Sequence, residues 1–436
     1  MWPAKNIRDS FTMVSRRLFL AAASTLPLSA APLTARAAAP SSTDDLAALT
    51  SLTMGAQPIT VEERRARIAK LQDLMARQGI GAFLVESGSS LDYFTGIRWH
   101  RSERTTAALI PAKGQVIVVT PAFEEPSVRE TLQVGGDVRA WDEHESPFQR
   151  LSQALKDIGA APGGVPAGKV AVEPTTRFFI IDGIRQVTRD YDLVSGDGLV
   201  RACRMHKSPA ELALMQVANE VTLAALRYAH AHVRPGMRAA DIAALVDTAT
   251  AALGGRPEFS LVLLNEASAY PHGSIQPEVV KDGSTVLLDV GCAVHGYQSD
   301  ISRTWVFGTP SARQRKVWDT VKRGQEIALE TAKLGIPVGD IDKAVRRYYE
   351  GEGWGPGYRL PGLSHRTGHG IGLDGHESPY LVLSDTTPLE PGMCFSDEPG
   401  LYIPGEFGIR LEDCWHMTET GPKLFTPLAA SLDQPV

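Results

Sequence analysis

From Thr60 onward, apolar and polar positions alternate between two rhythms. The run opening with Thr60-Val61-Glu62-Glu63 has capping-box spacing and predicts a helix that closes near Gly79. Short apolar runs at Ala82 to Val85, Ala107 to Ile110 and Gln115 to Val119 predict strands, the last two joined as a hairpin by Pro111-Ala112-Lys113-Gly114. Helical and extended stretches then alternate through Val170 to Glu173 and on to Val194, which predicts a small α/β domain over residues 58–203. A second capping box, Ser208-Pro209-Ala210-Glu211, has proline at the first helical position and opens a long helix ending near Val233, ahead of Pro235-Gly236. Further helices are expected over Ala239 to Leu253 and Ala312 to Leu334. They interleave with antiparallel strands, so residues 204–436 predict an α+β layered domain.

The most informative of those strands lie in Val286 to Phe307, VLLDVGCAVHGYQSDISRTWVF. With His295-Gly296 as a two-residue turn, Asp289 falls opposite Ser302, and Asp300, two positions from Ser302, points to the same face. Two carboxylates in one small space repel, and one is driven to keep its proton unless a cation lies between them. Taken alone, the stretch reads equally well as a solvated hairpin carrying two unrelated aspartates.

A downstream echo shifts that balance. Gly283 to Gly291, with Asp289 six residues after the first glycine, is matched by Gly392 to Gly400, with Glu398 in the same place. A second acid follows each time, Asp300 after Asp289 and Glu412 after Glu398, as in a duplicated half. Between the two pairs runs SHRTGHGIGLDGHESP, with His365, His369 and His376. Its glycines argue against a helix and for a loop or irregular strand, and they would let the backbone approach a ligand closely. Three histidines in such a run favour metal or catalytic work.

The motifs LLDVG, GYQSDISRT, HRTGHGIG, DEPGLY and GIRLED, with His272 upstream in AYPHGS, resemble the pita-bread metallopeptidases, the family of methionine aminopeptidase, aminopeptidase P and prolidase. Within that family the likeness is greatest to the Xaa-Pro peptidases. The resemblance implies a C-terminal pita-bread domain behind a smaller creatinase-type α/β domain that forms homodimer contacts, where Trp99, His100 and Arg101 could help roof a neighbour's site. It implies two divalent cations, with Asp300 and Glu412 bridging, Asp289 completing one, and His369 and Glu398 the other. One imidazole among four carboxylates suits manganese best on ligand type, with cobalt or zinc as alternatives. It also implies proton shuttling by Glu398, roles for His272 and His376 in steadying the tetrahedral intermediate, and His365 on the proline side. Arg410 is expected to pair with a metal-shell or a substrate carboxylate, and Tyr402 is a weaker candidate for substrate binding. Asp397 departs from the small or apolar residue often found before that glutamate; its strand parity predicts that it faces away.

The expected activity is therefore hydrolysis of the Xaa-Pro bond, in dipeptides or at the start of longer peptides. Two other readings keep the fold: a creatinase-like hydrolase working without metal, and a binding protein on a dead peptidase scaffold. The intact set of five ligands argues against both.

Composition and the N-terminus complete the picture. With 44 Lys and Arg against 50 Asp and Glu, the net charge of -6 gives no footprint for nucleic acid. Ser15-Arg16-Arg17-Leu18-Phe19-Leu20, followed by Ala35-Arg36-Ala37, resembles a twin-arginine export signal over residues 1–37, which predicts a periplasmic protein. The apolar stretch is broken by Pro27 and Pro32 and falls short of the roughly 20 residues needed to span a bilayer, so no membrane anchor is expected after its removal. Residues 38–57, small and alanine-rich, are expected to form a loose leader. Four cysteines are too few for a disulfide scaffold, but Cys394 and Cys414 flank the second acid pair and are candidates for a cross-strand disulfide.

Overall fold

The computed structural model describes residues 42–160 and 168–436. The proposed signal over 1–37 lies outside the described residues. Among the described residues, no helix is long and apolar enough to cross a membrane.

The first half runs α1 (Ser42–Ala47), α2 (Val61–Gln78), β1 (Ala82–Glu86), α3 (Ser89–Thr95), β2 (Ala107–Pro111), β3 (Ile117–Pro121), α4 (Glu125–Thr131), β4 (Asp137–Trp141), α5 (Pro147–Ala160), β5 (Lys169–Val172), α6 (Phe178–Val187), β6 (Asp192–Ser195) and α7 (Asp197–Arg204). Its strands form one mixed sheet in the order β4-β3-β2-β1-β5-β6. Strands β1, β2 and β3 are buried throughout because both faces are covered. Along β1 the period of two sends Phe83 and Val85 into one core with Leu71 and Met75 of α2, and Ala82 and Leu84 into another with Leu151 and Leu155 of α5. Helix α2 starts as expected: Thr60 accepts from Glu63 N at 3.1 Å, and Gly79 closes it with a left-handed φ of 65°. Glu63, however, spends its carboxylate on Arg67 and Ser208, not on the cap.

The leader is not loose over its described part. Helix α1 forms there, and Leu52 N donates to Leu253 O at 2.9 Å, docking the segment on the second half.

That second half continues with α8 (Pro209–His232), α9 (Ala239–Ala252), β7 (Arg256–Leu264), β8 (Ser284–Val294), β9 (Tyr297–Gln298), β10 (Ile301–Phe307), α10 (Ala312–Thr331), α11 (Gly339–Gly351), β11 (Gly368–Gly370), β12 (Glu377–Leu381), β13 (Cys394–Asp397), β14 (Gly400–Ile403), β15 (Phe407–Arg410), β16 (Asp413–Thr418) and β17 (Gly421–Leu424). One antiparallel sheet is ordered β10-β8-β7 with β9 against β8, and a second β12-β11-β13-β16-β17. The first packs through Val286 and Leu288 on α8 and α9, and the second through Phe395 and Trp415 on α10 and α11.

The two halves meet along a polar seam. Arg67 of α2 reaches Glu211 at 3.3 Å and the Tyr297 hydroxyl at 3.1 Å, and Tyr297 donates to Glu211 at 2.8 Å. A second buried pair, Arg303 of β10 with Asp413 of β16 at 2.6 Å, ties the two sheets together where both side chains are fully enclosed. Arg303→Met would leave Asp413 buried without its cation, so we expect a loss of about 3–5 kcal/mol in unfolding free energy by urea titration. A loss under about 1 kcal/mol would show that the pair does not hold the sheets together.

Candidate metal centre

The hairpin that carries the first two acids forms as the turn chemistry predicts. His295 and Gly296 have φ of 49° and 94°, both in the left-handed region that a two-residue primed turn requires. Val294 pairs with Tyr297, and five residues further from the turn on each strand Asp289 pairs with Ser302. The Ser302 hydroxyl lies 3.1 Å from Asp289 Oδ1 and 2.7 Å from Glu412 Oε2. Glu412 is brought there by its own backbone, its N–H donating to Ser302 O at 3.1 Å.

His369 arrives on a three-residue strand whose register shifts just after it. Its backbone N–H donates to Ser396 Oγ at 3.1 Å, and Nδ1 lies 3.1 Å from Gly370 O, which fixes the proton on Nδ1 and leaves the Nε2 lone pair free. Nε2 faces Glu398 Oε1 at 3.4 Å and Asp300 Oδ2 at 3.6 Å. Ligand atoms of Asp300, His369 and Glu412 lie within 4.8 Å of one another. The glycines around His369 serve protein packing, not close approach to a ligand: a Cβ on Gly368 would collide with Ser396 O, and one on Gly370 would lie 2.5 Å from Glu377 O.

Asp289, Asp300, Glu398, Glu412, His272, His365, His369, His376 and Arg410 all line one cavity of ≈ 890 Å³. Burial first, and then the fields of Glu412, Asp289 and Glu398, pushes the Asp300 carboxyl well above the carboxylate range. Burial followed by Glu398 and Asp289 does the same to Glu412. Burial outweighs Arg410 and lifts Glu398 to about 7. His369 is pushed well below its ordinary value by burial and then by His376, whose ring lies 4.0 Å away, so the imidazole is neutral. Asp300 Oδ1 and Glu412 Oε1 are buried with no hydrogen-bond partner among the described residues. Orphaned acceptors and mutually repelling acids around a neutral imidazole fit divalent cations with hard oxygen ligands.

Arg410 braces one side of this group. Its Nη2 meets Asp289 Oδ2 at 2.5 Å, Nε donates to Ser302 Oγ at 2.9 Å, and Nη1 to the Tyr402 hydroxyl at 3.1 Å. Of the two partners expected for Arg410, the structure thus shows the carboxylate of the acid cluster. Tyr402 is fully buried and does not line the cavity: its hydroxyl sits between Arg410 and His365 Nε2, the latter at 2.7 Å, so it braces and is not placed to bind substrate. His365 does line the cavity, but its Nδ1 is also engaged, 2.7 Å from Arg366 O.

Asp397 faces away from the cavity, as its parity predicts. It pairs in register with Asp413, and burial followed by Asp413 pushes its carboxyl well above the usual range. The expected disulfide is absent. Cys394 stands opposite His416 and Cys414 opposite Ser396, and all four cysteines are free. Trp99 and His100 line a separate cavity at the hairpin tip, and Arg101 a third.

Several lining residues escaped the sequence reading. Phe259 and Leu261 of β7 stand beside the acids, Leu261 directly opposite Asp289, and the period of two along β7 would have marked them. Tyr270, Tyr358 and Val382 complete an apolar wall but come from irregular or short segments that carry no such signal. Glu377 was also missed. It follows His376 and is held by Lys207 at 3.1 Å and by Arg204, which also reaches Asp374 at 2.9 Å and Ser90 at 3.0 Å, clamping the His376 loop to the first half.

Comparison with known proteins gives a consistent result. The sequence profile of metallopeptidase family M24 matches residues 213–419, and that of the creatinase/prolidase N-terminal domain matches 67–206. The chain is 30% identical over 377 residues to the probable dipeptidase PepE of Mycobacterium tuberculosis, covering 84% of this chain and 96% of that one. It is 29% identical over 360 residues to the Xaa-Pro dipeptidase of Lactobacillus helveticus, covering 82% and 95%. The solved prolidase from Thermococcus sibiricus superposes with a TM-score of 0.76 at 27% identity, covering 84% of this chain and 97% of that one.

The Glu377 clamp predicts an acid response. Burial opposes ionisation, but Arg204 and Lys207 prevail and hold this carboxyl down at about 2, against an ordinary 4.5. A depressed carboxyl stabilises the fold above its unfolded value and loses that contribution as pH falls through its folded value. Wild type should therefore be more stable than Glu377→Gln at pH 6, with the gap narrowing between about pH 4.5 and 2 in urea titrations. A gap that stays constant or widens toward acid would contradict the clamp.

Proposed function

This chain belongs to metallopeptidase family M24, and on that premise we propose that it hydrolyses the Xaa-Pro bond of dipeptides or short peptides with the help of two divalent cations. The observation that carries the reading is the convergence of Asp289, Asp300, His369, Glu398 and Glu412 on one cavity, with buried oxygens of Asp300 and Glu412 lacking any partner among the described residues. Asp300 and Glu412 would contact both cations, Asp289 would complete one, and His369 with Glu398 the other. The cations would supply an acidified water and positive charge facing the carbonyl oxygen. Manganese fits this oxygen-rich ligand set best, ahead of cobalt and zinc.

The remaining work falls to the chain itself. Arg410 and Ser302 each hold one oxygen of Asp289, and Ser302 stands between Asp289 and Glu412. Phe259, Leu261, Tyr270, Tyr358 and Val382 offer an apolar wall for the proline ring, whose nitrogen brings no N–H to the scissile bond. His272 and His376, which line the cavity, would steady the tetrahedral intermediate, and Glu398 would pass a proton to the leaving nitrogen. Relatives named as dipeptidases support action on dipeptides. A homodimer and export to the periplasm through the paired arginines Arg16 and Arg17 belong to the same reading.

Chelation should abolish cleavage of Ala-Pro, and adding back manganese, cobalt or zinc separately should restore it, manganese most fully. Asp300→Ala should lower kcat at least about 1,000-fold with every metal, as expected when a ligand shared by both cations is lost. Comparable turnover by Asp300→Ala, or by the chelated protein, would remove the metal from the mechanism. Arg16→Lys with Arg17→Lys should leave active precursor inside the cell, read by activity in periplasmic against cytoplasmic fractions. Equal periplasmic activity for the double variant would refute this export route.

A further inference from the structure

Two arginines line the cavity, and their donors are differently committed. Arg410 uses Nε on Ser302, Nη1 on Tyr402 and Pro271 O, and Nη2 on Asp289. Arg366 is half-buried, and although its carbonyl meets His365 Nδ1 at 2.7 Å, its guanidinium takes part in no hydrogen bond or ion pair among the described residues. Its guanidinium instead lies 4.4 Å over the ring of Tyr380. A guanidinium held by its flat face keeps its in-plane N–H fork open, and that fork matches a carboxylate. The mount is rigid with respect to the acid cluster, because Tyr380 pairs in register with His369 across β11 and β12. Arg366 lies close enough for its charge to help lower His369 and His376, though burial is the larger cause for both.

Charge balance points the same way. Two divalent cations would neutralise the four carboxylates, leaving both arginines as surplus positive charge, and of the two only Arg366 keeps its whole guanidinium uncommitted. We propose that Arg366, stacked on Tyr380, is the docking point for a carboxylate carried by the substrate. That group is either the C-terminal carboxylate of a dipeptide or an acidic side chain on the residue before the scissile bond. The inference rests on the peptidase reading above and narrows its substrate class to anionic peptides.

Four compounds separate the two sources: Ala-Pro, Glu-Pro and the C-terminal amide of each. With the metal-restored enzyme, Arg366→Gln should lower kcat/KM about 10- to 100-fold, mainly through KM, on compounds carrying the recognised carboxylate, the range expected for one charged hydrogen-bonded pair. Arg366→Lys, which keeps the charge but loses the fork, should fall between. A loss on Ala-Pro and Glu-Pro that spares both amides assigns the site to the C-terminus. A loss on Glu-Pro and its amide that spares Ala-Pro assigns it to the preceding side chain. An equal loss on all four, including Ala-Pro amide, or no loss on any, overturns the proposal. Calorimetric titration with uncleavable reduced-bond (CH2–N) analogues of the same four reads the contact without turnover. Analogue binding that depends on Arg366 in a protein that cleaves none of the peptides would sink the peptidase reading and uphold this one. Binding indifferent to Arg366→Gln would sink this one. Equal metal content and thermal midpoint in wild type and variant exclude collapse of the site as the cause.

Discussion

Four carboxylates enclosed in one cavity are the constraint on which the rest of this molecule turns. Left to themselves, Asp289, Asp300, Glu398 and Glu412 repel, and burial multiplies the penalty because little water remains to screen them. The surrounding structure is arranged to hold them together regardless. Hairpin register sets Asp289 against Ser302, a backbone hydrogen bond from Glu412 to Ser302 O fixes Glu412, and all three guanidinium nitrogens of Arg410 are engaged nearby. A fold that tolerates such an arrangement stores a strong demand for positive charge at one point. The fit to paired divalent cations follows from that demand.

Much of the scaffold is given over to aiming segments with little secondary structure of their own. The loop before His369 is gripped from α11: Asp342 accepts from Thr367 N at 3.1 Å and Oγ1 at 2.7 Å, and Arg346 binds Leu363 O at 2.9 Å. Thr367 O in turn receives the backbone N–H of Glu398 at 2.8 Å. The loop after His369 is gripped from the other side by Arg204 and Lys207 through Glu377. The first half, which contributes no acid to the cluster, thus helps position its histidines.

How far this was legible in the sequence depended on how rigid the local rule was. A two-residue turn leaves no freedom in register, so the pairing of Asp289 with Ser302 could be written down from His295-Gly296, and strand parity alone turned Asp397 away from the cavity. Capping residues marked α2 and α8 to within a residue or two. Parity names a face but not a partner, so from the sequence Arg410 has two candidate carboxylates, and nothing there marks the Tyr402 hydroxyl as taken up by Arg410 and His365. The suspected bridge between Cys394 and Cys414 failed because both lie in strands whose register puts other residues opposite them. The wall of Tyr270, Tyr358 and Val382 could not be seen at all, since it is assembled from segments far apart in the chain that have no periodicity to read.

The cysteines carry a consequence of their own. Cys203, Cys292, Cys394 and Cys414 are all buried, and burial raises each thiol, Cys203 to about 11 and Cys394 to about 12. Because the thiolate is the form that exchanges or is oxidised, none of them offers an electrochemical handle while the chain is folded. Thiol–disulfide exchange with glutathione, which needs an accessible thiolate, should therefore find no partner among these four side chains in the native molecule, in reducing and oxidising surroundings alike.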